Sequence, residues 1–140
     1  MNKKELAIAK HDIKFNCAQA VACSFAEEVG VPEDVLFKAA EGFGLGMGGM
    51  EGICGALSGG ILLAGFQNSD GNLESPATKA DTYKLSKEMV KSFEEKTNSN
   101  AKNVKKIILF YLQSDLFVVE YKTVAPIAQL DRASDYGSEG

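Results

Sequence analysis

The three cysteines, Cys17, Cys23 and Cys54, are the residues of this chain most suited to chemistry. Cys17 lies at the predicted start of one helix, and Cys54 lies at the predicted start of another, directly after a glycine-rich run. Because a helix N-terminus carries partial positive charge, we expect it to lower the pKa of both thiols and increase the thiolate fraction, which attacks disulfides and binds metals. Cys17 and Cys54 are therefore the candidate redox residues, whereas mid-helix Cys23 is expected to be a buried apolar residue.

Metal binding is the second chemistry that the cysteines allow. Cys17 and Cys54 are separated by thirty-six residues, so they do not form a closely spaced ligand pair. A structural zinc site needs about four ligands, and the single histidine, His11, is interpreted as a solvated residue at the end of an opening helix. A closed zinc site is therefore not predicted, but Cys17 and Cys54 could still bind an iron–sulfur cluster, haem or another metal between chains.

Nine glycines occur in residues 42–60, GFGLGMGGMEGICGALSGG. Gly44, Gly46 and Gly49 fit the pattern GxGxxG, which binds dinucleotides only when it follows a strand. The preceding segment, PEDVLFKAAEGF, is predicted to be helical, so we do not predict a nucleotide site. The glycines instead leave space beside Cys54, and small residues after it allow a neighbouring helix to pack closely, at positions 55, 56, 59, 60 and 64.

The elements around the cysteines predict a compact all-α domain, a bundle of about four helices with a glycine-rich connection. A short opening helix is expected over residues 3–11. The first main helix begins after Asn16, whose predicted capping partner is Gln19, and it ends at Gly30. Its apolar stripe consists of Phe15, Ala18, Ala22, Phe25 and Val29.

The other three helices are predicted from start signals and apolar spacing. The second begins near Pro32, and its expected inward face is Val35, Leu36, Ala39, Ala40 and Phe43. The third lies within residues 53–66. The fourth begins at Ser75 and Pro76, reaches about Thr97 and has an inner side made of Tyr83, Leu85, Met89, Val90 and Phe93.

The sequence changes character after Asn98. Residues 105–124 are rich in β-branched and aromatic residues and could form a hairpin, while residues 125–140 have no periodicity and contain the only arginine, Arg132. We therefore predict a helical cysteine-motif domain over residues 1–98. Residues 99–140 are interpreted as an atypical tail that is non-native or weakly structured.

Composition limits the partners and the compartment. A net charge of −4 and a pI of about 5.0 argue against nucleic-acid partners, which require a clustered basic surface. The N-terminus lacks a signal-like apolar stretch, and the longest uncharged span, residues 52–69, is interrupted by glycines and polar residues. We therefore expect a cytoplasmic protein with no membrane partner, in which the cysteines are free thiols.

Three segments of the sequence resemble a known family. NCAQAV at residues 16–21, the later AEEVGVPED and CGALSG at residues 54–59 resemble the redox-active protein family named for its C_GCAxxG_C_C pattern, over roughly residues 12–97. The resemblance implies a helical fold and an inferred redox activity, and some relatives lie near haem, transporter or oxidoreductase partners. It matches Cys17 and Cys54 to the first two family cysteines, with motif support from Asn16, Gln19, Gly55, Ala56 and Gly59.

The last two cysteines of that pattern should follow the fourth helix, but this sequence has no cysteine after Cys54. The final segment, APIAQLDRASDYGSEG, resembles a peptide that recurs in bacterial gene predictions when a transfer-RNA region is translated on the wrong strand or frame. We hypothesise that the native reading frame is lost near residues 97–103, through a frameshift or truncation.

The predicted function is reversible disulfide formation between Cys17 and Cys54, with a redox partner protein or a small thiol as the exchange partner. A homodimer is compatible with the sequence. One alternative is a non-catalytic module that binds a metal, an iron–sulfur cluster or haem through the same two cysteines. The second alternative is an inactive, truncated family member.

Overall fold

The computed structural model describes residues 1–97, which form six α-helices and contain no strand. These are α1 (Lys3–Asp12), α2 (Cys17–Ser24), α3 (Ala26–Val29), α4 (Glu33–Ala40), α5 (Gly55–Asn68) and α6 (Lys79–Thr97). The all-α prediction is therefore confirmed. The tail predicted for residues 99–140, its candidate hairpin and the reading-frame hypothesis concern the chain outside the described residues, and the boundary at residue 98 stays a prediction.

Helix α2 is the centre of the fold, since all its residues from Ala18 to Ser24 are buried. It packs against α1, α4 and α5, and α6 packs against α5. Small alanine side chains let the three neighbours approach α2 closely. The predicted apolar stripe is confirmed, because its five members lie in the core or pack against it.

The first predicted main helix is divided in two. It breaks at Phe25, whose φ of −115° and ψ of 18° lie outside the helical range, and α3 continues for one turn to Val29. Gly30 then ends α3 in the left-handed conformation with φ 64°, as expected for a glycine after a helix.

The opening helix is confirmed and is attached to the core. Ala7 is buried, and the ammonium groups of Lys3 and Lys10 form ion pairs with Glu28 and Glu33. The Lys3 pair has an Nζ to Oε1 distance of 2.5 Å. Helix α1 therefore covers one side of α2.

Two predicted inward faces are partly wrong. In α4, Leu36 and Ala40 are buried, but Val35 is 44 % exposed and Ala39 is exposed, because this eight-residue helix contacts the core along one narrow stripe. In α6, Met89 and Phe93 are buried whereas Tyr83, near the helix start, is 69 % exposed. These helices lie at the surface and bury fewer residues than an apolar pattern suggests.

Helix α6 begins at Lys79, which is later than the predicted start at Ser75 and Pro76. The side chain of Asn72 accepts hydrogen bonds from the backbone amides of Glu74 and Ser75, at 3.1 and 3.0 Å. Asparagine side chains bond backbone amides in this way in turns, so a local turn precedes the helix here. Within residues 1–97, none of the helices combines the length and apolar character needed to cross a bilayer.

Candidate functional site

Helix α2 begins with a capping box that places Cys17 as its first residue. The Asn16 side chain accepts from the Gln19 amide at 2.9 Å, and the Gln19 side chain accepts from the Asn16 amide at 3.0 Å. This is the arrangement predicted from the spacing of the two residues. Cys17 is half-buried at this helix start.

The same two side chains also connect α2 to the end of α4. The Asn16 amide group donates to the carbonyl oxygen of Glu41 at 2.9 Å, and that of Gln19 donates to the carbonyl of Phe37 at 3.1 Å. Gln19 is buried, so the bond to Phe37 also satisfies a side chain that would otherwise lose its hydrogen bonds to water. Asn16 and Gln19 thus orient Cys17 relative to a second helix, a role that the capping signature alone does not reveal.

Cys54 occupies the position directly before α5, with an extended backbone (φ −50°, ψ 132°). It is only 1 % exposed and belongs to the apolar core. The Ser58 hydroxyl donates to the Cys54 carbonyl oxygen at 3.2 Å, which helps to close the first turn of α5. The prediction that Cys54 lies at a helix start is confirmed.

Two glycines bring the starts of α2 and α5 together. A Cβ atom on Gly55 would lie 3.3 Å from the amide nitrogen of Ala18, and one on Gly59 would lie 2.7 Å from the Ala18 carbonyl oxygen. Backbone therefore meets backbone at Ala18, as predicted for a surface of small residues. Because Cys17 precedes Ala18 and Cys54 precedes Gly55, this crossing brings the backbone at Cys17 close to the backbone at Cys54.

Burial controls the ionisation of this cysteine pair. It raises the pKa of the Cys17 thiol, with a partly compensating backbone hydrogen bond, and it raises the pKa of Cys54 to about 11. The backbone amides of Ala56 and Leu57 act in the opposite direction on Cys54, although its side chain does not cap the helix, and the charge of Cys17 adds to the increase. The expectation of lowered pKa values is therefore wrong, because removal from water outweighs the helix start.

Cys23 is a packing residue, as predicted. It is 3 % exposed in the middle of α2, and its Sγ atom contacts the Glu33 carbonyl oxygen at 3.6 Å, within the range for a weak thiol hydrogen bond. Burial, followed by the charge of Glu33, raises its pKa to about 11, and Lys10 partly opposes this. Such a thiol is poorly reactive.

The glycine loop, residues 44–53, runs from the end of the 3₁₀ turn after α4 to Cys54 and passes beside Asn16 at its start. Gly44 is buried between Asn16 and Gly55: a Cβ atom on Gly44 would lie 2.5 Å from the Asn16 side-chain nitrogen, and its Cα would be 3.3 Å from a Cβ on Gly55. The element before the loop is helical, as predicted, consisting of α4 and a short 3₁₀ turn over Glu41–Phe43. The strand context of a dinucleotide fingerprint is thus absent from this described part of the chain.

Four successive residues of this loop have positive φ angles. The values are 53° for Leu45, 57° for Gly46, 62° for Met47 and 83° for Gly48. A hydrogen bond of 3.1 Å from the Gly52 amide to the Gly46 carbonyl closes the loop. For leucine and methionine this conformation costs roughly 1–2 kcal/mol each relative to the right-handed region.

No group of three or more histidine, cysteine, aspartate or glutamate side chains is arranged to hold a metal within residues 1–97. His11 lies in the last turn of α1, where it is half-buried. Within the described chain, Cys17 and Cys54 can therefore react as thiols. They can also supply two ligands to a metal whose other ligands come from elsewhere.

Comparison with known proteins identifies one related family. Residues 15–107 match the family model described as "Putative redox-active protein (C_GCAxxG_C_C)". The match includes Cys17, the glycine loop and Cys54, and it begins after α1. No curated protein and no solved structure matches the chain.

Proposed function

We propose, from the premise that the chain belongs to the C_GCAxxG_C_C family of putative redox-active proteins, that it exchanges disulfides through Cys17 and Cys54. One observation carries the proposal: both cysteines begin helices that meet backbone to backbone at Ala18 and Gly55. A disulfide requires two cysteines on neighbouring stretches of backbone, and this crossing supports the proposal because it brings the two stretches together.

The difference in exposure suggests a different role for each cysteine. Cys17 is half-buried, so a partner can reach it, whereas Cys54 is 1 % exposed and has a pKa of about 11. We assign the attack on the partner to Cys17 and the resolving step to Cys54. An inaccessible thiol of high pKa is a poor first nucleophile, but it can act once a sulfur is held beside it.

The exchange has two steps. The Cys17 thiolate attacks one sulfur of a partner disulfide; the partner's sulfur–sulfur bond breaks, and the departing thiolate takes up a proton. Cys54 then loses its proton to water, and its sulfur attacks Cys17 in the mixed disulfide, which forms the Cys17–Cys54 bond and releases the second partner thiol. The protein loses two electrons and two protons, and the partner disulfide gains both.

The test is oxidation of the fully reduced protein with excess oxidised dithiothreitol, followed by peptide mapping. We expect a mass loss of two hydrogens and a crosslinked pair of peptides that contain Cys17 and Cys54. Cys23→Ser is the matched control and should still form the bond, whereas Cys17→Ser and Cys54→Ser should not. Failure of the wild-type protein to form this bond would refute the proposal.

The same samples distinguish the alternatives predicted from the sequence. Metal analysis and absorption spectra of anaerobically purified protein would support a metal, iron–sulfur or haem module if a metal were bound and both Cys17→Ser and Cys54→Ser released it. A protein that neither forms the disulfide nor binds a metal would be an inactive family member.

A further inference from the structure

We infer that Leu45 is a contact residue for a polypeptide partner of the cysteine pair, one whose disulfide is flanked by apolar and basic residues. This inference rests on the proposed function and names the partner class of that same site. It concerns the exposed surface of the glycine loop, where Leu45 and Met47 are 50 % and 47 % exposed.

The backbone of the loop provides the first argument. Leu45 and Met47 have φ angles of 53° and 62°, in the left-handed region that glycine adopts without strain. All their neighbours in the chain are glycines, namely Gly44, Gly46 and Gly48. A side chain at either position therefore makes this backbone conformation less favourable in free energy. Favourable contacts of the side chain must offset that cost.

The contacts of Met47 lie within its own loop. A Cβ atom on Gly52 would lie 2.9 Å from the Met47 Cβ, so the methionine side chain lies across Gly52 where the loop closes. Neither Leu45 nor Met47 belongs, within residues 1–97, to the apolar core or to the partly buried residues packed against it, but only Met47 lies against Gly52. The exposed half of Leu45 is therefore available to a partner.

Leu45 is also fixed beside the cysteine pair. It directly follows Gly44, which is enclosed between the Asn16 side chain and Gly55. Asn16 and Gly55 are the chain neighbours of Cys17 and Cys54. A polypeptide that presents a disulfide to Cys17 would thus extend over Leu45.

Charge favours one class of partner. The acidic residues nearest to Leu45 along the chain are Glu41 and Glu51, and no basic residue lies between them. Both are exposed, whereas Lys38, the nearest basic residue before them, is paired with Asp34 at 3.7 Å. Because like charges repel, this surface disfavours an acidic disulfide such as oxidised glutathione and favours a polypeptide with basic flanks.

The experiment uses two peptides of equal length, each carrying one cysteine as a mixed disulfide with thionitrobenzoate. Leucine and lysine flank the cysteine in the first peptide, and serine and glutamate flank it in the second. The reduced protein is mixed with each peptide, and release of the coloured thionitrobenzoate gives the rate. The variants are Leu45→Gly and, as a matched control, Leu73→Gly, which is 92 % exposed beyond the far end of α5.

We expect the wild-type protein to react faster with the leucine and lysine peptide. Leu45→Gly should lower that rate by about fivefold, the effect of losing half of a leucine's burial, and should leave the rate with the serine and glutamate peptide unchanged. Leu73→Gly should change neither rate. Glycine adopts the backbone of position 45 freely, so we expect Leu45→Gly to remain folded by circular dichroism.

Other outcomes separate the inference from the proposed function. If Cys17→Ser releases thionitrobenzoate as fast as the wild-type protein, the proposed function fails. If the reaction depends on Cys17 but Leu45→Gly slows both peptides equally, or neither, the partner contact is refuted while the function stands. If Leu45→Gly instead abolishes a dimer seen by sedimentation, Leu45 is a contact between copies, which also overturns the inference.

Discussion

The two ends of helix α5 contrast in how they use glycine. At its N-terminal end, Gly55 and Gly59 contact the backbone of Ala18 in α2, and Cys54 is almost completely buried. At its C-terminal end, Gly65 has nothing within 4 Å of the place where a Cβ would lie, and it borders an open cavity of about 380 Å³. Tyr83 and Leu73 line that cavity, and both are largely exposed.

This difference shows that glycine in a helix has two separate consequences. At the N-terminal end, the missing side chains allow two backbones to approach, which brings the backbone at Cys17 close to the backbone at Cys54. At the C-terminal end, no neighbouring atom lies close to Gly65, so the missing side chain allows no closer packing. Only the lower helix propensity of glycine affects stability there. The residue type is the same, and the neighbouring helix decides its effect.

The largest expected effect on stability comes from adding a side chain at the N-terminal end of α5. Gly59→Ala should reduce the free energy of unfolding by about 3 kcal/mol, because its Cβ would lie 2.7 Å from a backbone oxygen that cannot move away. It should also slow formation of the Cys17–Cys54 bond by displacing α2. Urea unfolding and the oxidation assay measure the two effects.

Gly65→Ala is the matched control on the same helix. It should be neutral or stabilise the protein by up to about 1 kcal/mol, because alanine favours the helix and the site is open. Equal stability losses in the two variants would show that the contrast between the ends of α5 is wrong.

The second prediction concerns the ionisation of Cys54 at the N-terminal end of α5. Burial raises its pKa from the ordinary 9.0 to about 11, so near neutral pH its thiolate fraction should be about a hundredfold lower than that of an ordinary thiol. Since the folded pKa exceeds the unfolded one, stability from this group is complete below about pH 9 and is lost as the pH rises towards 11.

Ultraviolet thiolate absorption of Cys17→Ser/Cys23→Ser, which retains only Cys54, measures this ionisation. A variant with no cysteine is subtracted to remove the tyrosine signal. The folded protein should titrate near 11, and the same protein in concentrated urea should titrate near 9. A folded value at or below 9 would contradict burial as the dominant cause.

The third prediction compares two capping boxes. Asn16→Ala should cost about 2 kcal/mol, because it removes both the cap of α2 and the bond to the Glu41 carbonyl. Asn2→Ala removes an exposed cap of the same type from α1 and should cost about 0.5–1 kcal/mol. Urea unfolding of both variants gives the comparison, and similar losses would mean that the link to α4 contributes nothing.

The smallest effect is expected at the C-terminal end of α5. The Asn68 side chain donates to the Thr82 hydroxyl at 2.8 Å and so connects α5 to α6. Thr82→Val should cost about 1 kcal/mol, whereas Lys87→Ala on the exposed side of α6 should remain within about 0.5 kcal/mol. A loss at Thr82 as large as that at Gly59 would remove the difference between the two ends.

Much of the local structure could be predicted from short-range signals. The capping pair Asn16 and Gln19, the helix stop at Gly30 and the helix start at Cys54 each depend on residues within a few positions. The family resemblance also rests on short segments, and it is confirmed by the match over residues 15–107. The break at Phe25 and the exposure of Tyr83 were not predicted, because they depend on which neighbouring helix covers each position.

The sequence by itself determined the helical class, the helix starts that present Cys17 and Cys54, and the small residues that permit close packing. The tertiary structure alone decided that Gly55 and Gly59 contact Ala18 while Gly65 does not, and that burial raises the pKa of the thiols at helix starts expected to lower it. The physical reason is that the two kinds of interaction act over different separations along the chain. Capping and periodicity act within a few residues, whereas desolvation and backbone contact depend on segments that are distant in the chain.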